Sequence, residues 1–146
     1  MFENVNPLIG AGDGGYLFDP QGDLRAWMTY PCRYRCSDPL QGKVAVTARA
    51  SSPEEIRIRN TSAEPVDLGD YVVDNDPWKY SFPGSTPVAP GATLRLFVGG
   101  SPSRDTSLVK YWGKSKSILN DTGDRVALRT HADIRIACYA WGSASC

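Results

Sequence analysis

The chain has 146 residues, which is enough for one domain with a single sizeable hydrophobic core. Hydrophobic residues make up 41% and charged residues 22% of it, an ordinary balance for a globular domain, and a formal net charge of zero gives no general case for a nucleic-acid or membrane-surface partner. No stretch approaches the roughly 18 consecutive apolar residues that a membrane-spanning helix needs, so no membrane insertion is expected.

Residues 1–42 are rich in glycine, proline, asparagine and aspartate, the residues that dominate turns. This composition predicts an N-terminal arm that is mostly irregular, has one short strand from Leu24 to Tyr30, and packs on the following domain through Trp27 and Tyr30. The arm also holds three aspartates without the spacing of a calcium loop, Asp13, Asp19 and Asp23. We interpret them as turn residues and predict no metal site.

From Lys43 onward, apolar and polar residues alternate in short runs separated by turn residues, a pattern typical of half-buried strands. No window of helical length has apolar residues at three-four spacing, and residues 101–117 are interpreted as a polar loop. The runs are Val44–Ala48, Ile56–Ile58, Val66–Val73 (with a bend), Trp78–Phe82, Leu94–Val98, Val126–Leu128 and Ile134–Cys138. Seven or eight such strands predict an all-β fold, an antiparallel β-sandwich, for residues 43–146.

The stretch from Tyr80 to Val98 is expected to organise this sandwich as a strand, a proline-rich crossing and a second strand. Pro83, Pro87 and Pro90 forbid a helix and keep the crossing extended or turned. A turn is also predicted at residues 74–77, Asp-Asn-Asp-Pro. The residues expected to form the core between the two sheets are Phe82, Leu94, Leu96, Val126, Leu128, Ile134 and Ile136.

The four cysteines form two pairs that are close in sequence, Cys32 with Cys36 and Cys138 with Cys146. Their spacings do not match a zinc ribbon, and the one histidine, His131, is not placed to complete one. We predict local disulfides within each pair, because short loops close at low entropic cost; a Cys36–Cys138 link is the alternative. Disulfides indicate an oxidising compartment, so we expect a secreted or extracytoplasmic protein whose leader was removed before Met1.

Residues suited to catalysis are few. His131 lies in a predicted turn with no nucleophile elbow to accompany it. The acidic pairs Glu54/Glu55 and Asp74/Asp76 could serve a small hydrolase that uses paired carboxylates. Neighbouring residues of a strand point to opposite faces, however, which favours a solvated surface role for both pairs. No phosphate-binding loop, dinucleotide fingerprint or HExxH motif occurs, and no cofactor is predicted.

Arginines recur in the outward phase of the predicted strands and could form a basic face. The alternative is that they cover the solvent side, with their stems packed over apolar neighbours. Arginine suits anionic ligands because its planar fork grips a carboxylate or phosphate in two places. The outward set is Arg57, Arg59, Arg95, Arg125, Arg129 and Arg135. Of these, Arg125, Arg129 and Arg135 lie on two successive strands and are the predicted binding patch.

A second candidate binding feature is the segment in which lysines and aromatic residues are interleaved, Lys110, Tyr111, Trp112 and Lys114. Such a segment could stack bases or sugars on its rings. The alternative is a loop that is anchored on the domain by a buried Trp112.

Several short motifs occur in an order that resembles the lamin-tail domain over about residues 44–140. The motifs are Glu55–Thr61, which ends in Asn60-Thr61, then Leu68-Gly69-Asp70-Tyr71, Phe82-Pro83 followed by Pro90-Gly91, and Gly123–Leu128. Tyr71 stands where the family often has tryptophan, and Asp70 stands where it has glycine. The resemblance implies an immunoglobulin-like β-sandwich that serves as an interaction module and has no catalytic residues to carry over. Bacterial members resemble extracytoplasmic proteins, and for them the resemblance implies tethering.

We therefore expect a non-enzymatic binding or tethering module, at the bacterial cell envelope or outside the cell, whose partner is a protein or an envelope polymer. Nucleic acid is not the expected partner. Two alternatives remain: a small hydrolase with paired carboxylates, and a module that binds polyanions or nucleic acid through outward arginines.

Overall fold

The computed structural model describes residues 13–30 and 38–146 of the chain. The chain divides into two compact units, Met1–Ser37 and Asp38–Cys146. In the described residues no helix is long and apolar enough to cross a membrane. The sequence predicts that the boundary between the arm and the sandwich domain lies between residues 42 and 43. This boundary stays a prediction, which the folding of isolated fragments can test.

The first unit contains an antiparallel hairpin of β1 (Asp13–Phe18) and β2 (Leu24–Tyr30). The strand predicted from Leu24 to Tyr30 is present, and β1 is an additional one, so the described part of the arm is more regular than expected. Asp19 begins the connecting turn, where its carboxylate accepts the backbone N–H groups of Gln21 and Asp23, as turn aspartates commonly do. Cys32, Cys36 and the side chains of Trp27 and Tyr30 lie outside the described residues.

The second unit is built from strands, with one turn of 3₁₀ helix at Pro102–Arg104. Its strands are β3 (Val44–Arg49), β4 (Glu55–Asn60), β5 (Val66–Asp67), β6 (Val72–Asn75), β7 (Trp78–Ser81), β8 (Pro87–Val88), β9 (Thr93–Phe97), β10 (Val109–Tyr111), β11 (Gly123–Arg129) and β12 (Arg135–Gly142). Eight of them form two four-stranded sheets: sheet A, in the order β10-β9-β4-β3, and sheet B, in the order β12-β11-β6-β7; the other two, β5 and β8, form a separate two-stranded sheet. All pairings are antiparallel except that of β9 with β10. The predicted immunoglobulin-like β-sandwich is confirmed.

Three local expectations are corrected. The polar loop predicted for residues 101–117 contains the 3₁₀ turn and β10, because the Val109–Tyr111 backbone pairs with the edge of β9. The turn predicted for residues 74–77 is shorter, since the first two of these residues end β6. The arm is the third case, described above.

The predicted crossing from Tyr80 to Val98 connects the two sheets, with β7 in sheet B and β9 in sheet A. Between them, β8 pairs with β5. The single bent strand expected from Val66 to Val73 is instead two strands in different sheets, separated at Asp70. Asp70 has φ 65°, a left-handed conformation that glycine adopts freely and aspartate tolerates, which explains why glycine suits this position in the family pattern.

The core lies between sheets A and B. Six of the seven predicted core residues are buried: Phe82, Leu94, Leu96, Val126, Leu128 and Ile136. Ile134 is only partly buried and packs against the rim of the core, because it precedes β12 and lies beside the turn from β11. The period-two alternation therefore predicted the inward face of each strand correctly, except at this strand end.

Asn60 ties the end of β4 to its surroundings and is fully buried. Its side-chain amide donates to the carbonyl oxygens of Glu64 at 2.7 Å and Val88 at 2.9 Å. Its amide oxygen accepts the backbone N–H of Ser62 at 2.9 Å and the hydroxyl of Ser62 at 2.7 Å. All polar atoms of this buried side chain have partners, as a buried amide requires.

Candidate ligand-binding face

The outer face of sheet A carries a cluster of arginines around one glutamate. Alternation along β4 buries Ile56 and Ile58 and turns the side chains of Glu55 and Arg57 to the other face. The strand register places Arg57 directly opposite Arg95 of β9, and Glu55 directly opposite Arg49 of β3. Three strands of the sheet thus deliver four charged side chains to one place.

Glu55 lies beneath these arginines, with a side chain that is 0% exposed. Arg57 Nη2 donates to Glu55 Oε2 at 2.9 Å, Arg95 Nε donates to Oε1, and Arg49 Nη2 lies 3.4 Å from Oε2. Burial alone would raise the pKa of the Glu55 carboxyl group. Hydrogen bonds from Arg57 and then Arg95, with the attraction of both charges, outweigh burial and lower the pKa from 4.5 to about 2. The carboxylate is therefore charged and orients the arginines.

The arginines of this cluster outnumber their counter-charge. The side chains of Arg49, Arg57 and Arg95 are 44%, 49% and 44% exposed, and in the described part of the chain Glu55 is the one carboxylate that pairs with them. Each guanidinium has five N–H donors, of which Glu55 and the Pro53 carbonyl take only a few. Donors that face solvent remain for a ligand.

An aromatic stack borders the arginine cluster. The rings of Phe97 on β9 and Tyr111 on β10 stack with centroids 5.6 Å apart and planes inclined by 21°. The Arg95 guanidinium lies 4.8 Å from the Phe97 centroid, and the Arg104 guanidinium lies 5.0 Å from that of Tyr111. These cation–π contacts hold two arginines at the sheet surface.

Gly100 makes this stack possible. Its φ is +88°, and a Cβ atom added there would meet Tyr111 Cδ1 at 2.5 Å, closer than two carbon atoms can approach. A side chain at position 100 would displace the Tyr111 ring.

A shallow pocket of about 340 Å³ opens beside the stack. Its lining combines serines, lysines and backbone with the two stacked rings: Ser52, Pro53, Glu54, Phe97, Val98, Gly99, Gly100, Tyr111, Lys114, Ser115, Lys116 and Ser117. Glu54 is buried there, and its carboxylate accepts the backbone N–H groups of Ile118 at 3.0 Å and Leu119 at 3.1 Å. The pocket therefore borders the arginine face, and the carboxylate in its lining, that of Glu54, is bound to backbone N–H groups.

The arginines predicted as a patch occupy sheet B. Arg125 and Arg129 lie on β11, and the register places Arg129 opposite Arg135 of β12. Arg129 is already paired, since its Nε donates to Asp74 at 2.9 Å and its Nη1 lies 3.5 Å from Asp133. Arg135 donates to the Cys146 carbonyl oxygen, and Arg125 is exposed. The three residues share a sheet as predicted, and binding by them stays a prediction.

The lysine-aromatic segment is split by its strand alternation. Tyr111 joins the stack on the outer face of sheet A. Trp112 instead packs against the core, where its ring and that of Tyr80 form a T-shaped pair with centroids 5.7 Å apart. Lys110 Nζ lies 3.8 Å from Asp105, and Lys114 Nζ lies 4.0 Å above the Trp78 ring. Trp112 therefore packs on the core, as the anchoring alternative expects, and ligand binding by this segment stays a prediction.

The solvated role expected for both acidic pairs is wrong for Glu54 and Glu55, which are buried because they bind backbone amides and arginines; Asp74 is partly buried, and Asp76 is exposed. Glu54 binds backbone amides, Glu55 binds arginines, and Asp74 binds Arg129. A general acid needs a raised pKa, whereas the pKa of Glu55 is lowered. No group of three or more histidine, cysteine, aspartate or glutamate residues could hold a metal ion within residues 13–30 and 38–146.

A disulfide joins Cys138 of β12 to Cys146, with Cα atoms 5.9 Å apart. This confirms the predicted local bridge at the C-terminal pair. The predicted Cys32–Cys36 bridge lies outside the described residues.

The two packed four-stranded sheets define an immunoglobulin-like β-sandwich module. The family model for the Lamin Tail Domain matches residues 40–143, and the chain belongs to this family. No curated protein matches the chain significantly.

Sequence reasoning missed the most concentrated charge cluster. Arg49, Glu55 and Arg104 were not recognised as binding candidates. A signal existed for part of it, because Glu55, Arg57 and Arg59 share one phase of a single strand. That β4 lies between β3 and β9 could not be read from this alternation.

Proposed function

We propose that this chain is a non-enzymatic binding module that tethers at the bacterial cell envelope or elsewhere outside the cell, and that the outer face of sheet A makes the contact. One observation carries the proposal: Glu55 holds three half-exposed arginines in fixed positions on rigid strands. Side chains that are ordered before binding lose less entropy when a ligand arrives. A tether of this kind needs no catalytic step; it needs only a stable scaffold and a charged face.

The extracytoplasmic location is supported by the Cys138–Cys146 disulfide. Structural disulfides persist in oxidising compartments and are rare where glutathione keeps thiols reduced. We expect both cysteines to be protected from alkylation when protein from its native cells is denatured without reductant. Alkylation of both would overturn the location while leaving the binding proposal intact.

Co-sedimentation of the full chain with purified bacterial envelope fragments tests the tethering. We expect the protein to sediment with the fragments at low salt and to be released at high salt, because partly exposed charges are screened. A protein that stays in the supernatant even at low salt would overturn the proposed tethering. The matched controls are the same protein without fragments and with fragments stripped of their anionic polymers.

A further inference from the structure

The two sheets of the sandwich differ in charge on their outer faces. Sheet A presents Arg49, Arg57 and Arg95 around Glu55, with Arg59 on the same face of β4 and Arg104 beside β10. In sheet B, Arg129 is paired with both Asp74 and Asp133. Arg125 and Arg135 also add positive charge to sheet B, but among the described residues the densest group of arginines, gathered around a single carboxylate, lies on sheet A, although the whole sequence is neutral.

We propose that the cluster of Arg49, Arg57 and Arg95 binds the anionic groups of an extended glycopolymer, a carbohydrate or polyol chain that carries carboxylate, sulfate or phosphate groups. This inference rests on the proposed function and names the chemical class of its ligand.

The cluster carries more positive charge than its one carboxylate neutralises. Arg57 lies directly opposite Arg95, and like charges that face each other across two strands are unfavourable. Glu55 compensates one charge of the three and fixes the guanidinium forks. An anion seated above them would take the remaining N–H donors and remove the residual repulsion, and charge-assisted bonds of this kind are roughly twice as strong as neutral ones.

The arrangement suits a chain of anionic groups better than a single ion. The positive residues extend across the whole sheet, from Arg49 on β3 through β4 and β9 to Arg104 next to β10. Neighbouring strands lie about 4.8 Å apart, so repeated anionic groups on one polymer would meet successive arginines. Several weak contacts on one polymer then add up to useful affinity.

The aromatic rings on this face disfavour single-stranded nucleic acid. Such ligands bind by stacking their bases on free aromatic rings, but Phe97 and Tyr111 stack on each other and each carries a guanidinium. An anionic glycopolymer needs no free ring. Duplex DNA can meet arginines through its phosphates alone, so it is included as a competitor ligand in the test.

The test is the affinity of the full chain for three soluble probes at low and high salt. The probes are heparin for sulfate, polygalacturonate for carboxylate and wall teichoic acid for phosphate, with inorganic phosphate as the single-ion comparison. We expect at least one polymer to bind much more tightly than inorganic phosphate. Arg57→Ala/Arg95→Ala should weaken the binding of that polymer by about tenfold or more. A larger loss in Arg129→Ala/Arg135→Ala, which removes two arginines of the patch predicted from the sequence, would overturn the sheet-A site.

A second variant guards against loss of folding. Arg57→Lys/Arg95→Lys keeps both positive charges but removes the planar guanidinium groups. We expect this variant to fold and to bind the polymer several-fold more weakly than the wild type does. Equal binding by the wild type and both sheet-A variants would overturn the site. Tighter binding of duplex DNA or polyglutamate than of all three glycopolymers would overturn the ligand class.

The site and the tethering fail separately. Envelope sedimentation that persists in Arg57→Ala/Arg95→Ala would leave the tethering standing and overturn this site. Glycopolymer binding without envelope sedimentation would support the site and overturn the tethering.

Discussion

Glu55 shows how one side chain can organise a surface that it does not itself present. Its carboxylate is buried, yet hydrogen bonds from Arg57 and Arg95 keep it charged. The same hydrogen bonds fix the positions of the two guanidinium groups at the surface. The arginines remain half exposed, so most of the ligand-facing chemistry belongs to them.

We predict that acid weakens the fold through Glu55. Its pKa is about 2 in the folded protein and 4.5 ordinarily, so the unfolded chain binds the proton more readily. The stabilisation is complete above about pH 4.5 and is lost progressively as the pH falls towards 2. Denaturant unfolding at several pH values should show this loss in the wild type.

The matched variant is Glu55→Gln, which has no carboxyl group to titrate. At neutral pH we expect it to be less stable by about 1.5–3 kcal/mol, the usual worth of hydrogen bonds to charged groups, and nearer the lower figure because the arginines are partly solvated. The gap between variant and wild type should narrow as the pH falls. A gap that stays constant down to pH 2 would contradict the role of Glu55.

We predict that Asn60→Ala is among the most destabilising single changes on the polar side chains of the domain. It would leave the buried Val88 carbonyl without its donor and the Ser62 N–H without its acceptor, whereas the Glu64 carbonyl would keep the Ser62 hydroxyl. Each buried group left unpaired costs about 1–3 kcal/mol. Chemical denaturation measures the loss, with the exposed Thr47→Ala as the control. A loss no greater than that of the control would show that water replaces the amide.

At the scale of the strand, the sequence predicted which side chains of a strand point inward better than it predicted which strands lie next to each other. Alternation is local, so the inward phases of β4, β9 and β11 could be read directly. The missed strand β10 has only three residues and is specified by pairing with β9, a contact that no local pattern encodes. The same limitation hid the arginine cluster, because Arg49, Arg57 and Arg95 meet only once three strands are ordered in a sheet.

We predict that Leu96→Ala costs about 2–5 kcal/mol, the usual range for a buried large-to-small change. Leu96 is fully buried on β9 between the sheets. Ile134→Ala should cost less, because Ile134 is only partly buried at the rim. Denaturant unfolding of both variants checks the order. A loss under about 1 kcal/mol at Leu96 would mean that the inward phase of β9 is wrong.

At the scale of the whole molecule, the second unit begins before the predicted boundary would place it. Leu40 is buried in the core cluster, and the Tyr71 hydroxyl donates to Asp38 at 2.7 Å. Leu40 and Asp38 both precede residue 43. A fragment that starts at residue 43 therefore loses contacts that a fragment starting at Asp38 keeps. The family match also begins at residue 40.

We predict that a fragment of residues 38–146 folds on its own and that a fragment of residues 43–146 is less stable. Removing Leu40 alone forfeits about 1.5–3 kcal/mol of apolar burial. Thermal and denaturant unfolding of the two fragments gives the difference. Equal stability would favour the boundary expected from the sequence.

The order of strands in each sheet has a consequence for how the chain reaches its fold. Sheet A joins β4 to β9, with Ile56 opposite Leu96, and sheet B joins β6 to β11, with Asp74 opposite Ala127. These partners are far apart in the chain, so closing their loops precedes any gain from pairing, and folding falls in the slow range of about milliseconds to seconds typical of such sandwiches. On the ribosome, at about 5–20 residues per second, β4 waits several seconds for its partner to be made. For that time one edge of β4 is unpaired, and its isoleucines have no second sheet to cover them.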